Sequence, residues 1–161
     1  MRRLLREQQP ASDKACAALE TWLLAHPALH TVAVYSPLPG EVDLSAILLL
    51  RADTRWVYPK VRGTGLTFHS GLDFVYGAFG ILEPAAGSPE VALADIDAFI
   101  CPGLAFDPRG GRLGRGRGFY DRMLAKARPD ALKLGVCFEI QWVTDTFPEP
   151  HDVLMDHVIS G

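Results

Sequence analysis

The chain has 161 residues, 48% of them hydrophobic and 22% charged, with a formal net charge of −3. That is enough chain to bury a core, and too rich in Leu, Val and Ile for extensive disorder. The mildly acidic balance excludes a surface built throughout for nucleic acid, so any anion site must be a local basic patch.

In chain order, the opening MRRLLREQQP is basic but loses its apolar character after Leu5, which excludes a secretory signal. Residues 12–25 place Ala15, Ala18, Leu19, Trp22 and Leu23 on one helical face, and His26-Pro27 stops that helix. Residues 31–35 read as a strand running into Ser-Pro-Leu-Pro-Gly, and Asp43 caps a helix reaching about Leu50. A strand over 55–58 is closed by Pro59, and another spans 66–69. The Gly-, Pro- and Ala-rich stretch 77–89 reads as a surface connection. Strands are predicted over 94–100, 132–138 and 155–160, with a helix from Phe119 to Arg128 ended by Pro129.

Strands alternating with helices predict a single α/β domain over residues 1–161, with a mostly parallel, Rossmann-like sheet flanked by helices. In such sheets ligands bind outside the carboxyl ends of the strands. Cys16, Cys101 and Cys137 lie far apart without a C-x-x-C pair, which fits buried thiols in a reducing compartment better than zinc or disulfides. No apolar run reaches bilayer length. A cytoplasmic protein, not engaging membranes, is the expectation.

The densest signal lies between a strand and a helix. From Gly110 to Gly118 there are five glycines and three arginines in nine residues. Glycine allows positive φ and lets backbone N–H groups crowd around an anion. Arg112, Arg115 and Arg117, with Arg109 just before, add planar guanidinium forks suited to phosphate oxygens. A following helix N-terminus favours the same charge. There is no G-x-x-x-x-G-K-[ST], and Gly114, Gly116 and Gly118 miss the dinucleotide fingerprint spacing. An RNA-binding glycine–arginine tract is the rival reading, although such tracts are repeated and disordered. Asp121, in the helix's first turn, either complements the helix dipole or holds a cation beside the phosphates. Asp152 is a plausible second carboxylate, with Glu149, Asp145 and Asp156 equally placed by sequence.

The segment Pro102-Gly-Leu-Ala-Phe-Asp107 with Gly110, Arg112-Leu-Gly114, Gly116, Gly118 and Tyr120-Asp121-Arg122 resembles the signature of 5-formyltetrahydrofolate cyclo-ligases. Further pieces agree in order: Tyr35-Ser-Pro-Leu-Pro-Gly-Glu41-Val-Asp43, Pro59-Lys60-Val61, Gly80-Ile-Leu-Glu83-Pro84 and Gln141 before Asp152. The resemblance implies ATP and magnesium, and ATP-dependent conversion of 5-formyltetrahydrofolate to 5,10-methenyltetrahydrofolate with release of ADP and phosphate. A same-fold enzyme acting on another phosphorylated metabolite is the alternative within this class.

Carried over by motif position, Arg112, Gly114, Arg115, Gly116, Arg117, Gly118, Phe119 and Tyr120 contact ATP, and the stretch from Arg115 to Phe119 also meets the folate. Arg115, Arg117 and Tyr120 are the implied catalytic groups, and Asp121 and Asp152 the implied magnesium ligands. Tyr35 and Glu41 border the folate, and Lys60 is a phosphate or glutamate-tail ligand. Arg2 and Arg6 match a basic opening that reaches ATP in the family, whose helical region before the first strand is longer than here. Phe119 stands where the family more often has tyrosine, which keeps the ring and drops a hydroxyl. The expected partners are the reduced folate and ATP, without nucleic acid, and the expected state is a monomer.

Overall fold

The computed structural model of the protein describes residues 7–161, so Arg2 and Arg6 lie outside the described residues. Helix α1 (Gln9–Leu24) places a proline in its first turn, where a missing N–H costs nothing. Of the predicted face Ala15, Leu19 and Leu23 are buried and Ala18 and Trp22 only partly so, while Ser12 and Cys16 complete the buried stripe. Trp22 is only partly buried and stacks on His26, ring centroids 3.8 Å apart.

Strand β1 (Thr31–Ala33) precedes helix α2 (Ser45–Leu50), and Asp43 accepts a 2.9 Å bond from the Ser45 amide at that helix's start. Then follow β2 (Arg55–Arg62), β3 (Gly65–His69), β4 (Phe74–Tyr76), β5 (Leu82–Pro84) and β6 (Glu90–Val91). After β7 (Ala98–Cys101) come β8 (Ala105–Phe106) and β9 (Arg112–Leu113), helix α3 (Phe119–Leu124), β10 (Leu132–Cys137) and β11 (His157–Ser160).

One sheet holds seven of these strands in the order β11-β10-β7-β1-β2-β3-β6. Pairing is parallel from β11 to β2 and antiparallel for β3 and β6. The parallel strands alone follow the doubly wound order 2-1-3-4-5, whose chain direction switches between β1 and β7. The connections diverge there, leaving a crevice above the carboxyl ends of those two strands.

Side chains alternate across this sheet as the pleat requires. Val32, Val34, Ala98, Ile100, Leu134 and Val136 face α1 and α2, with Ile47 of α2 in the same core. Ala33, Val57, Phe99 and Cys101 face the other way, against Met123 and Leu124 of α3. The central strands are buried on both faces, as parallel sheets covered by helices are.

Several elements depart from the sequence reading, each for a physical reason. Strand β2 runs through Pro59 to Arg62 rather than stopping. Pro59 pairs with Phe68, and the amide two residues on, Val61, donates to Glu83 at 3.1 Å rather than to β3. The missing N–H of Pro59 therefore faces away from the antiparallel partner and removes no ladder bond. The region 77–89 is not plain loop, since β5 pairs with β4 as a hairpin and β6 follows just beyond it. Residues 93–95 form a 3-10 turn, so β7 begins only at Ala98. Helix α3 ends at Leu124, and tighter turns bonded at Lys126 and Ala127 lead on toward Arg128.

Candidate active site above the β1–β7 crevice

A cleft of about 630 Å³ opens over the carboxyl ends of β1 and β7. Its floor is Tyr35 after β1 and Pro102-Gly103 after β7, the position that the strand order dictates. One wall is the glycine–arginine loop, from Arg112 to Asp121; another is formed by β2, β3 and the β4–β5 hairpin. A third is the segment 146–152 leading to β11. Tyr35, Glu41, Arg112, Gly114, Arg115, Gly116, Arg117, Gly118, Phe119, Tyr120, Asp121 and Asp152 all line it.

Lys60 is the exception. Its neighbours Pro59 and Val61 border the cleft and Lys60 does not, because successive strand residues point to opposite faces. The expected role of Lys60 at the phosphates or the glutamate tail is thus not supported by its place in the strand.

The five glycines of the loop divide by function. A Cβ on Gly111 would collide with Asp107 and Thr146, and one on Gly110 with the Met155 carbonyl. These two allow close packing under the loop rather than contact with an anion. Gly116, at φ +88°, would put a Cβ into open space, and Gly118, at φ +68°, precedes α3. Only these two combine the left-handed backbone with a position on the cleft wall. Helix α3 has six residues, so its dipole adds less than a long helix would, and the arginines carry most of the local field.

Arg112 is nearly buried and stands over the Tyr120 ring, 5.3 Å from its centroid. Its Nη1 donates to the Pro102 carbonyl at 3.0 Å, and its Nη2 lies 3.6 Å from Asp121. Its Nε is buried and has no hydrogen-bond partner. An orphaned donor of this kind is costly unless a ligand oxygen completes it. Asp121 also accepts the Val153 amide at 3.1 Å, which ties α3 to the chain beside Asp152. Asp152 accepts the Glu149 amide at 2.8 Å and keeps a second oxygen 3.4 Å from His151 Nε2.

Glu41 is 6% exposed and uses both oxygens: Oε2 accepts the Leu38 amide at 2.9 Å, and Oε1 accepts Arg115 Nε at 3.1 Å. Burial raises its pKa, outweighing the Leu38 amide and the Arg115 guanidinium, which act downward. Arg115 is 44% exposed, so its charge is well screened and compensates the carboxylate only in part. Tyr35 spends its hydroxyl on the Val42 carbonyl at 3.0 Å and leaves its ring to the cleft. Burial drives the phenols of Tyr35 and Tyr120 upward, so both stay protonated near neutral pH. Gln141 accepts the Phe138 amide and donates to the Gly103 carbonyl at 2.9 Å, bracing the floor rather than lining the cleft.

Three features were not singled out from sequence as site elements. Phe79 and Phe147 both border the cleft with left-handed backbones, φ 59° and 52°. Such strain in bulky residues concentrates at functional positions, and no sequence pattern announces it. The Arg117 guanidinium lies 3.8 Å from the Phe79 ring centroid. Asp107 is fully buried and receives bonds from the Arg109, Gly111 and Thr146 amides and from the Thr146 hydroxyl. Burial alone would raise its pKa, but the hydrogen bonds from Thr146, Arg109 and Gly111 outweigh it and bring it to about 2.

A carboxyl whose pKa is depressed on folding stabilises above its unfolded value and loses that contribution as pH falls toward the folded value. The difference in unfolding free energy between the wild type and Asp107→Asn is therefore expected to shrink by about 1 kcal/mol between pH 6 and pH 3. Urea unfolding at the two pH values measures it; a constant difference would show that Asp107 is not held low.

The cleft's features agree with what the chain is similar to. The 5-formyltetrahydrofolate cyclo-ligase family model matches residues 2–161. A 5-formyltetrahydrofolate cyclo-ligase of Mycolicibacterium smegmatis is 33% identical over 142 residues, covering 81% of this chain and 73% of that protein. One from Escherichia coli is 34% identical, covering 99% and 93% respectively. Among solved structures, the Aquifex aeolicus 5,10-methenyltetrahydrofolate synthetase superposes with a TM-score of 0.82 at 30% identity, covering 99% of this chain and 86% of that one. The Mycoplasma pneumoniae 5,10-methenyltetrahydrofolate synthetase gives 0.77 at 25% identity, over 98% and 93%. With a family model spanning nearly its whole length, this chain belongs to the 5-formyltetrahydrofolate cyclo-ligase family.

Proposed function

We propose that the chain, read as one cyclo-ligase domain over residues 1–161, closes 5-formyltetrahydrofolate to 5,10-methenyltetrahydrofolate at the expense of ATP, in the cleft above β1 and β7. The observation that carries the placement is convergence: Arg112, Arg115, Arg117 and the left-handed glycines at 116 and 118 share one cavity with Glu41 and Tyr35. A triphosphate needs the first group, and a flat polar heterocycle is served by the second.

A formamide carbonyl is a poor electrophile whose oxygen leaves badly. Transfer of the γ-phosphoryl group to the formyl oxygen, with ADP departing, converts that oxygen into a leaving group. N10 then attacks the formyl carbon, phosphate departs with the oxygen, and N10 gives up its proton. Catalysis of this kind is positioning plus neutralisation of phosphoryl charge. Arg115 and Arg117 supply permanent charge on the loop, and the unpartnered Nε of Arg112 supplies a donor. Tyr120 stays protonated and braces Arg112. No side-chain nucleophile is required.

Magnesium fits this donor set. Asp121 and Asp152 both line the cleft, and among the described residues no cluster of three His, Cys, Asp or Glu side chains forms a closed metal cage. Magnesium bound with nucleotide takes one or two carboxylates and fills its other positions with phosphate oxygens and water, neutralising charge on the transferring group. Among the described residues no helix is long and apolar enough to cross a membrane; a cytoplasmic monomer is the state proposed with this activity.

Incubation of the protein with ATP, magnesium and 5-formyltetrahydrofolate is expected to raise the near-ultraviolet absorbance of the methenyl product, with one ADP per product. Absence of that signal with folded protein would remove the proposal. Binding to single-stranded RNA that survives Asp121→Ala, without coupled ATP hydrolysis, would favour the glycine–arginine RNA-binding reading instead.

A further inference from the structure

The cleft contains a second buried carboxylate besides Glu41. Glu83 of β5 is 7% exposed and lines the same cavity, on the wall that also carries the apolar Pro59, Val61, Leu66 and Ile81. Its Oε1 accepts the Val61 amide, the N–H of β2 that does not pair with β3. No hydrogen bond or ion pair engages its Oε2 among the described residues, and that oxygen opens to the cleft rather than being sealed in the protein. Gly77 makes room for this carboxylate, since a Cβ there would overlap it.

We infer that Glu83 is the specificity-determining residue for the heterocyclic end of the folate, accepting hydrogen bonds from the adjacent ring N–H and exocyclic NH₂ of its aminopyrimidinone edge. This rests on the cyclo-ligase reading of the cleft and adds an assignment to it. A carboxylate in an apolar corner without a cation is stable only when donors satisfy it. Two adjacent N–H donors on a flat, neutral ring match the open Oε2 together with the second lone pair of Oε1, while the ring faces meet the cleft's aliphatic groups. Glu41 borders the same ring system, but with one oxygen on the Leu38 amide and the other on Arg115 it offers no open oxygen to that edge. Adenine is poorly suited as the occupant, because its amino group is flanked by ring nitrogen lone pairs, which a carboxylate repels. The corner therefore belongs to the folate and not to the nucleotide.

Glu83→Gln tests this with little change of shape, because its amide oxygen can still accept the Val61 N–H while an NH₂ replaces the free acceptor. The Kd for 5-formyltetrahydrofolate, measured without ATP, is expected to rise about 30-fold. ATP affinity should stay within about twofold and the melting temperature should be little changed. A folate analogue lacking the exocyclic NH₂ should bind more weakly to the wild type, with no comparable further loss in the variant. Unchanged folate affinity in the variant, or equal loss for folate and ATP, overturns the assignment and leaves Glu83 as a strand tie. Wild-type protein that binds no folate overturns the cyclo-ligase reading itself, a result distinct from a variant indifferent to the substitution.

Discussion

Gly111→Ala is expected to lower the free energy of unfolding by about 3 kcal/mol or more, corresponding to roughly 6–12 °C in melting temperature for a chain of this size. The added methyl would occupy the space where the Asp107 carboxylate meets the Thr146 hydroxyl. Neither can move cheaply: Asp107 is fully buried and tied to three backbone amides, two of them in the loop around Gly111 itself. Displacing it leaves buried donors unsatisfied as well as creating overlap. Thermal unfolding of the purified variant measures the loss. Gly116→Ala provides the contrast, because its Cβ would meet nothing and only the left-handed φ opposes it, at about 1 kcal/mol. Equal melting temperatures for the two variants would show that Gly111 is not packed as described.

The largest effect on activity is expected from Arg115→Ala, a fall in kcat/KM of about 100- to 1000-fold with folding intact. Arg115 is partly exposed, so the stability of its ion pair is small and its removal does not threaten the fold. What it supplies is permanent charge on the cleft wall and partial compensation of the buried Glu41. Arg115→Lys should recover activity only in part, since an ammonium lacks the planar fork. Steady-state assays varying ATP and folate in turn separate the two contributions. Full activity in Arg115→Ala would place the phosphates elsewhere.

The sequence and the structure agree best where the physics is local. The apolar stripe of α1 was legible because burial on one helical face repeats at a fixed spacing. The glycine–arginine loop was legible because few ordered segments combine those residues between a strand and a helix, and the loop does line the cleft. Pro59 misled because its effect depends on which side of the strand faces a partner, which only the sheet reveals. The same alternation, invisible in the sequence, turns Lys60 away from the cleft that Pro59 and Val61 line. The hairpin β4–β5 was hidden in a stretch whose glycine and proline content reads as loop. Gly110 and Gly111 could not be told from Gly116 and Gly118 by composition, since their difference lies in what a Cβ would strike. Glu83 sat inside a quoted motif without a role, because a carboxylate with one engaged and one open oxygen is recognisable only in three dimensions.

The Asp107 knot bears on how the site comes into being during synthesis. It joins residues 107–111 to Thr146, and the Met155 amide donates to the Gly110 carbonyl at 2.7 Å. Strand β1 can pair with β2 and β7 as soon as all three leave the ribosome, since they precede residue 102, while the other edge of β7 waits for β10. The loop that would hold the phosphates has no such early fastening. Its underside is clamped by Thr146 and Met155, so a nascent chain acquires the β1–β2–β7 part of its sheet first and its nucleotide grip only after residue 155 has emerged.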